Sequence, residues 1–199
     1  MTVTSKSILI AIFLLGCFDI WVSRWVICFN LSHLHRENDL LENLQIVLLV
    51  VTTITLLVYA FYENRYLRFY SLAGAILCFS FFLRELDMKT LDIPGFFIYL
   101  GSGIRKKTLL ATLWLCLVGY GAVNYQKIKP HDYRDLMCQK STFSVFLGGG
   151  LLILGGLFDR KIIAASYAQF VEELLELNGY FLIAMGAVLF MRQRKFSSP

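Results

Sequence analysis

Six apolar runs, at 7–29, 44–62, 69–83, 108–125, 143–158 and 178–191, are separated by short polar gaps. This alternation restricts what the chain can fold into. A spanning helix needs about 20 apolar residues to cross roughly 30 Å of hydrocarbon, and inside lipid only helices or closed barrels satisfy the backbone. Runs one, two and four meet that length or nearly do, and runs three, five and six are short. With 57% hydrophobic and 17% charged residues, and a mean hydropathy of +0.63, the composition excludes an ordinary soluble domain. The expected architecture is all-α: one membrane domain over 1–199, with spans near 7–29, 44–62, 66–85, 108–125, 143–160 and 170–191.

Lys6, Ile8–Phe18 and the sequence Leu14-Leu15-Gly16-Cys17 resemble a leader with a lipoprotein cleavage site. The apolar character resumes after Asp19 and continues to Phe29, so an uncleaved first helix is expected. Cys17, Cys28, Cys78 and Cys116 fall in apolar runs and Cys138 in a polar gap, which is no disulfide framework.

Alternate gaps differ in charge. Lys6, Arg65, Arg68, Lys127, Lys129, Arg134, Lys140, Arg192, Arg194 and Lys195 share one side with only Glu63, Asp132 and Asp135. The basic side is expected to be cytoplasmic, with both termini there. Arg105, Lys106 and Lys107 run against the bias. The net charge of +5 reads as an orientation signal and anionic-lipid contact, and no nucleic-acid partner is expected. A compact chain without long tails points to a bacterial inner membrane.

The opposite side collects Glu37, Asp39, Glu42, Glu85, Asp87, Asp92, Asp159, Glu172, Glu173 and Glu176, ten of the fourteen acids. Helix length bears on their depth. Run six alone would cover only about 21 Å, and Arg192 and Arg194 block its extension at the basic end. The most economical helix therefore runs from about Ser166 to Arg192 and draws Glu172, Glu173 and Glu176 to headgroup level or below. Run three likewise draws in Arg84 and Glu85. Carboxylates at that depth need a partner or a wet cavity.

Four constellations could bear chemistry. Glu172 and Glu176 share a helix face at i, i+4, with Glu173 beside Glu176 at i, i+3. Three like charges there require compensation, and an acidic first turn favoured by the helix dipole is the structural alternative. Arg84-Glu85-Leu86-Asp87 places a forked donor where it could clasp the glutamates or hold a substrate phosphate. His33-x-His35-x-Glu37 is a sparse zinc-like set, while Asp39 and Glu42 fit a helix cap. Asp19, near the middle of span one, is a candidate by its depth; it shares a stripe with Gly16 and Ser23, and the alternative is an aspartate that joins helices by hydrogen bonding.

Glu85, Glu173 and Glu176 are thus the catalytic candidates; Arg84, Asp87, Glu172 and Asp19 the substrate-binding ones; His33, His35 and Glu37 the metal candidates. A divalent metal is the cofactor such groups would hold. No phosphate loop, His-Glu-x-x-His, Cys-x-x-Cys or G-x-S-x-G motif occurs. Spans one, three and six are expected to converge on the acidic site.

Small residues at helix-packing spacing, namely Ser71 with Ala75, Gly74 with Cys78, Gly148–Gly150 and Gly155-Gly156, read as close-approach points. Pro94-Gly95 and Gly101-Ser102-Gly103 read as turns, with Phe96–Leu100 lying along the membrane surface. Three classes of function remain open. The leading one is a non-catalytic membrane subunit that senses, assembles or partners with proteins or with copies of itself. The others are a cation or proton transporter or channel, and a metal-assisted enzyme on a lipid-linked substrate.

Overall fold

The structure, a computed structural model, describes residues 5–29, 40–62, 65–86, 103–128, 139–160 and 167–194. Six long helices and one short one account for nearly all of them: α1 (Ser5–Phe29), α2 (Leu40–Tyr62), α3 (Arg65–Glu85), α4 (Gly103–Val123), α5 (Tyr125–Ile128), α6 (Lys140–Asp159) and α7 (Ala168–Arg194). The described residues contain no strand. The fold is all-α. Among the described residues four helices, α2, α3, α6 and α7, are long and apolar enough to cross a membrane, the mark of an integral membrane protein.

Two helix starts have a local cause. Glu42 sits in the first turn of α2, where the positive end of the helix dipole favours a carboxylate. Gly103 starts α4 with φ at +61°, a left-handed conformation that residues with a Cβ rarely adopt. α7 begins at Ala168, ten residues before the apolar run itself, and reaches Arg194. Its 27 residues extend about 40 Å at roughly 1.5 Å per residue. Glu172, Glu173 and Glu176 are accordingly helical residues, as the shortness of run six required.

The chain divides into two compact units. The first holds residues 1–44 and 144–199, hence α1, the start of α2, and nearly all of α6 with α7. Its core joins Val22 and Val26 of α1, Leu41 of α2, and Phe170 and Leu177 of α7, with Phe18 and Leu174 packed against them. Those positions make one face of α1, at i, i+4 and i+8, and one face of α7, at i, i+4 and i+7. The face of α1 that packs is therefore Phe18–Val22–Val26 with Asp19 alongside. Of the expected Gly16–Asp19–Ser23 stripe, Asp19 meets α7, whereas a Cβ at Gly16 would meet nothing within 4 Å.

The second unit holds residues 45–143. α2 and α3 form an antiparallel hairpin in which Arg68 Nε donates to the Ala60 carbonyl at 2.9 Å and Gly74 faces the Leu56 side chain. Ser71, Ala75 and Cys78 are buried along the same helix, as the small-residue spacing anticipated. α4 returns antiparallel to α3. Gly121 lies against the Phe69 ring at one end, and Lys106 Nζ donates to the Leu83 carbonyl at the other.

Candidate functional site

In the first unit the polar residues of α7 fall on two faces. Glu172, Glu176, Gly179 and Ile183 recur at i, i+4, i+7 and i+11, a single stripe on an α-helix, and this stripe meets α6. Gly155 of α6 lies against Glu176 Cγ and the Glu172 carbonyl. About two turns further on, Gly148 faces the backbone of Gly179 and Ile183. Ser144 Oγ continues the seam, donating to the Leu182 carbonyl at 2.7 Å. Small residues on both helices let the backbones approach closely, which is how helices gain packing where lipid supplies no hydrophobic drive.

Glu176 is only 3% exposed. A buried carboxylate is costly unless it is hydrogen-bonded or paired, so its depth makes it the most constrained of the three glutamates. Glu172 and Glu173 are half-buried. All three make further polar interactions. Among the described residues no group of three His, Cys, Asp or Glu side chains is placed to hold a metal ion. His33, His35, Glu37, Asp39, Asp87, Asp92 and Phe96–Leu100 lie outside the described residues.

The second face of α7 meets α1. Asn178 Nδ2 donates to Asp19 Oδ2 at 3.1 Å and to the Leu174 carbonyl of its own helix at 2.8 Å. Both hydrogens of the amide are thereby used. Asp19 lies ten residues from the end of α1 at Phe29 and Asn178 ten from the start of α7 at Ala168, about 15 Å along each axis. The pair therefore sits deep within both helices, amid the Val22, Val26 and Leu177 core. Asp19 Oδ1 is buried and has no hydrogen-bond partner among the described residues. One oxygen of the carboxyl joins the helices while the other bears an unreturned desolvation cost.

Of the expected convergence, spans one and six do come together here, through Asp19, Asn178 and the apolar residues around them. Span three belongs to the second unit. There Arg84 does meet a carboxylate, that of the adjacent Glu85, with Nε to Oε1 at 2.9 Å. Arg84 is 47% exposed and Glu85 10% exposed at the side chain, so the pair contributes little to stability in aqueous surroundings. It holds the Glu85 carboxylate at the last turn of α3, beside the Lys106 contact with Leu83.

Asn178 and Gly179 were not evident as site residues from the sequence. A lone amide at the boundary between an acidic segment and an apolar run was their only signal. Comparison with protein families, characterised proteins and solved structures gives no match, and the site is read from its own chemistry.

Proposed function

We propose that the chain is a non-catalytic membrane subunit, a partner or sensor component whose acidic face organises helices and an assembly rather than turning over a substrate. α1 and α4 cross the bilayer beside the four long apolar helices, giving six spans. Both termini lie on the cytoplasmic side, by the excess of Lys and Arg in alternate gaps. The short gaps fit a bacterial inner membrane. The observation that supports this reading is the Asp19–Asn178 hydrogen bond, together with Glu176 packed on Gly155: intramembrane polar groups placed at helix crossings act as adhesive. The partner is a membrane protein or a second copy of this chain, surrounded by lipid.

One observation favours a second reading. Asp19 Oδ1, buried without a partner among the described residues, is the kind of intramembrane carboxyl oxygen that a cation or proton path uses. Reconstitution separates the two. Proteoliposomes of the purified protein are assayed for proton, sodium, potassium and divalent-cation flux. The subunit reading expects flux no higher than in protein-free vesicles. Flux that is abolished by Asp19→Asn in a folded protein establishes the transport reading instead.

A further inference from the structure

The end of α3 lies beside the start of the antiparallel α4, and the bases gathered at that start are ones the helix dipole disfavours. Arg105, Lys106 and Lys107 are the third to fifth residues of α4, in and just beyond its first turn, at the positive end of its dipole, where cations are repelled. Arg84 stands in the last turn of α3, brought to the same end of the hairpin by the Lys106 contact with Leu83. Among the described residues this end of the hairpin thus gathers four bases, Arg84, Arg105, Lys106 and Lys107, and one acid, Glu85, which accepts from Arg84.

The roles of the three α4 bases separate by geometry. Lys106 turns toward α3 and satisfies a carbonyl that the end of that helix leaves open. Successive residues on a helix are about 100° apart, so Arg105 and Lys107 project to the two flanks of the hairpin. Both are exposed. Below Lys107, seven and eleven residues on, α4 presents Trp114 and Val118 outward on the same face, with Leu115 beside them, so this cation crowns an exposed apolar flank. Bases at the end of such a flank stand at headgroup level when the helix enters lipid.

We propose that this end of the α3–α4 hairpin is a binding site for the phosphates of anionic membrane lipids, with Arg105 and Lys107 each holding a headgroup on its own flank. The lipid supplies the negative charge that the first turn of α4 lacks. This also accounts for a basic cluster in a gap that otherwise carries the acids. The inference rests on α3 and α4 ending at a bilayer surface, not on the non-catalytic reading above.

The test is native mass spectrometry of the purified full-length protein after exposure to equimolar phosphatidylglycerol and phosphatidylcholine. The wild type is expected to retain phosphatidylglycerol preferentially, roughly fivefold per base. Arg105→Gln with Lys107→Gln loses that preference, while Arg105→Lys with Lys107→Arg keeps it, helical content being checked by circular dichroism. Equal retention of the two lipids by the wild type overturns the proposal, and this arm needs no variant to fold. So does retention of the preference in the folded Gln variant. Displacement of phosphatidylglycerol by millimolar inorganic phosphate makes the site one for soluble anions and overturns the lipid assignment.

Discussion

Gly148 and Gly179 oppose each other where α6 crosses α7, and a methyl on either would invade the other's backbone. A Cβ at Gly148 would lie 2.6 Å from the Gly179 carbonyl oxygen, and one at Gly179 would lie 2.9 Å from the Gly148 carbonyl oxygen. The obstacle is main chain, so the helices themselves must separate. Gly148→Ala and Gly179→Ala should each destabilise the first unit by about 1–3 kcal/mol. Gly155→Ala should cost less, because its near neighbour at 3.1 Å is the flexible Glu176 side chain. Gly149→Ala and Gly156→Ala meet nothing within 4 Å and should change stability by no more than about 0.5 kcal/mol. Denaturation in detergent micelles gives the order directly.

The Asp19–Asn178 hydrogen bond predicts a coupling that a double-mutant cycle can read. Asn178→Leu should cost roughly 0.5–2 kcal/mol, within the span measured for hydrogen bonds between membrane helices. Asp19→Asn should cost less, since an amide oxygen still accepts from Asn178. The cost of Asn178→Leu should fall in an Asp19→Leu background, which leaves no carboxyl to be orphaned. Additive effects would show that the contact contributes nothing.

Lys106 and Arg105 are neighbours with different expected roles. Lys106→Met removes the donor to the Leu83 carbonyl and should cost about 0.5–1.5 kcal/mol, with faster amide exchange confined to the last turn of α3. Arg105→Gln should leave that exchange unchanged. Hydrogen–deuterium exchange on the purified protein distinguishes them.

Topology is checked by labelling a cysteine-free background that contains one introduced cysteine. Ser5→Cys and Lys195→Cys should react with a membrane-impermeant maleimide only after the membrane is opened. His33→Cys should react in intact cells. The reverse pattern would invert the orientation, and opposite sides for Ser5→Cys and Lys195→Cys would mean an odd number of spans.

Much of the architecture was legible because it depends on local arithmetic. A run too short to span must be lengthened, and α7 does begin ten residues before it, so Glu172–Glu176 follow into the helix, although it also runs on through Arg192 to Arg194. Gly74 was likewise legible as a packing glycine from its spacing, whereas Gly148–Gly150 and Gly155-Gly156 were legible only as groups, of which Gly148 and Gly155 make the close approach and Gly149, Gly150 and Gly156 meet nothing within 4 Å. Their partners were not. Asn178 meets Asp19 across 159 positions, and no periodicity in either segment encodes that pairing. The same limit applies to Gly16–Asp19–Ser23. Of that stripe Asp19 does reach α7, but the apolar contact of α1 is made beside it by Phe18, Val22 and Val26, whose larger side chains gain more dispersion contact than a glycine. Arg84 could be placed at the end of α3 but not assigned its neighbour Glu85, because adjacent helical residues normally point apart and only the end of the helix relaxes that geometry.

The central claim is that the acidic and amide groups of α1 and α7 serve helix packing and assembly, not turnover. Native mass spectrometry of the chain extracted in mild detergent from its own membranes tests it most directly, beside Glu173→Gln. The account predicts a defined complex heavier than the 22.8 kDa chain, with its mass changed in Glu173→Gln only by the substitution itself. A lone chain bearing one stoichiometric divalent metal, lost in Glu173→Gln, would contradict it and make the glutamates of α7 a metal centre.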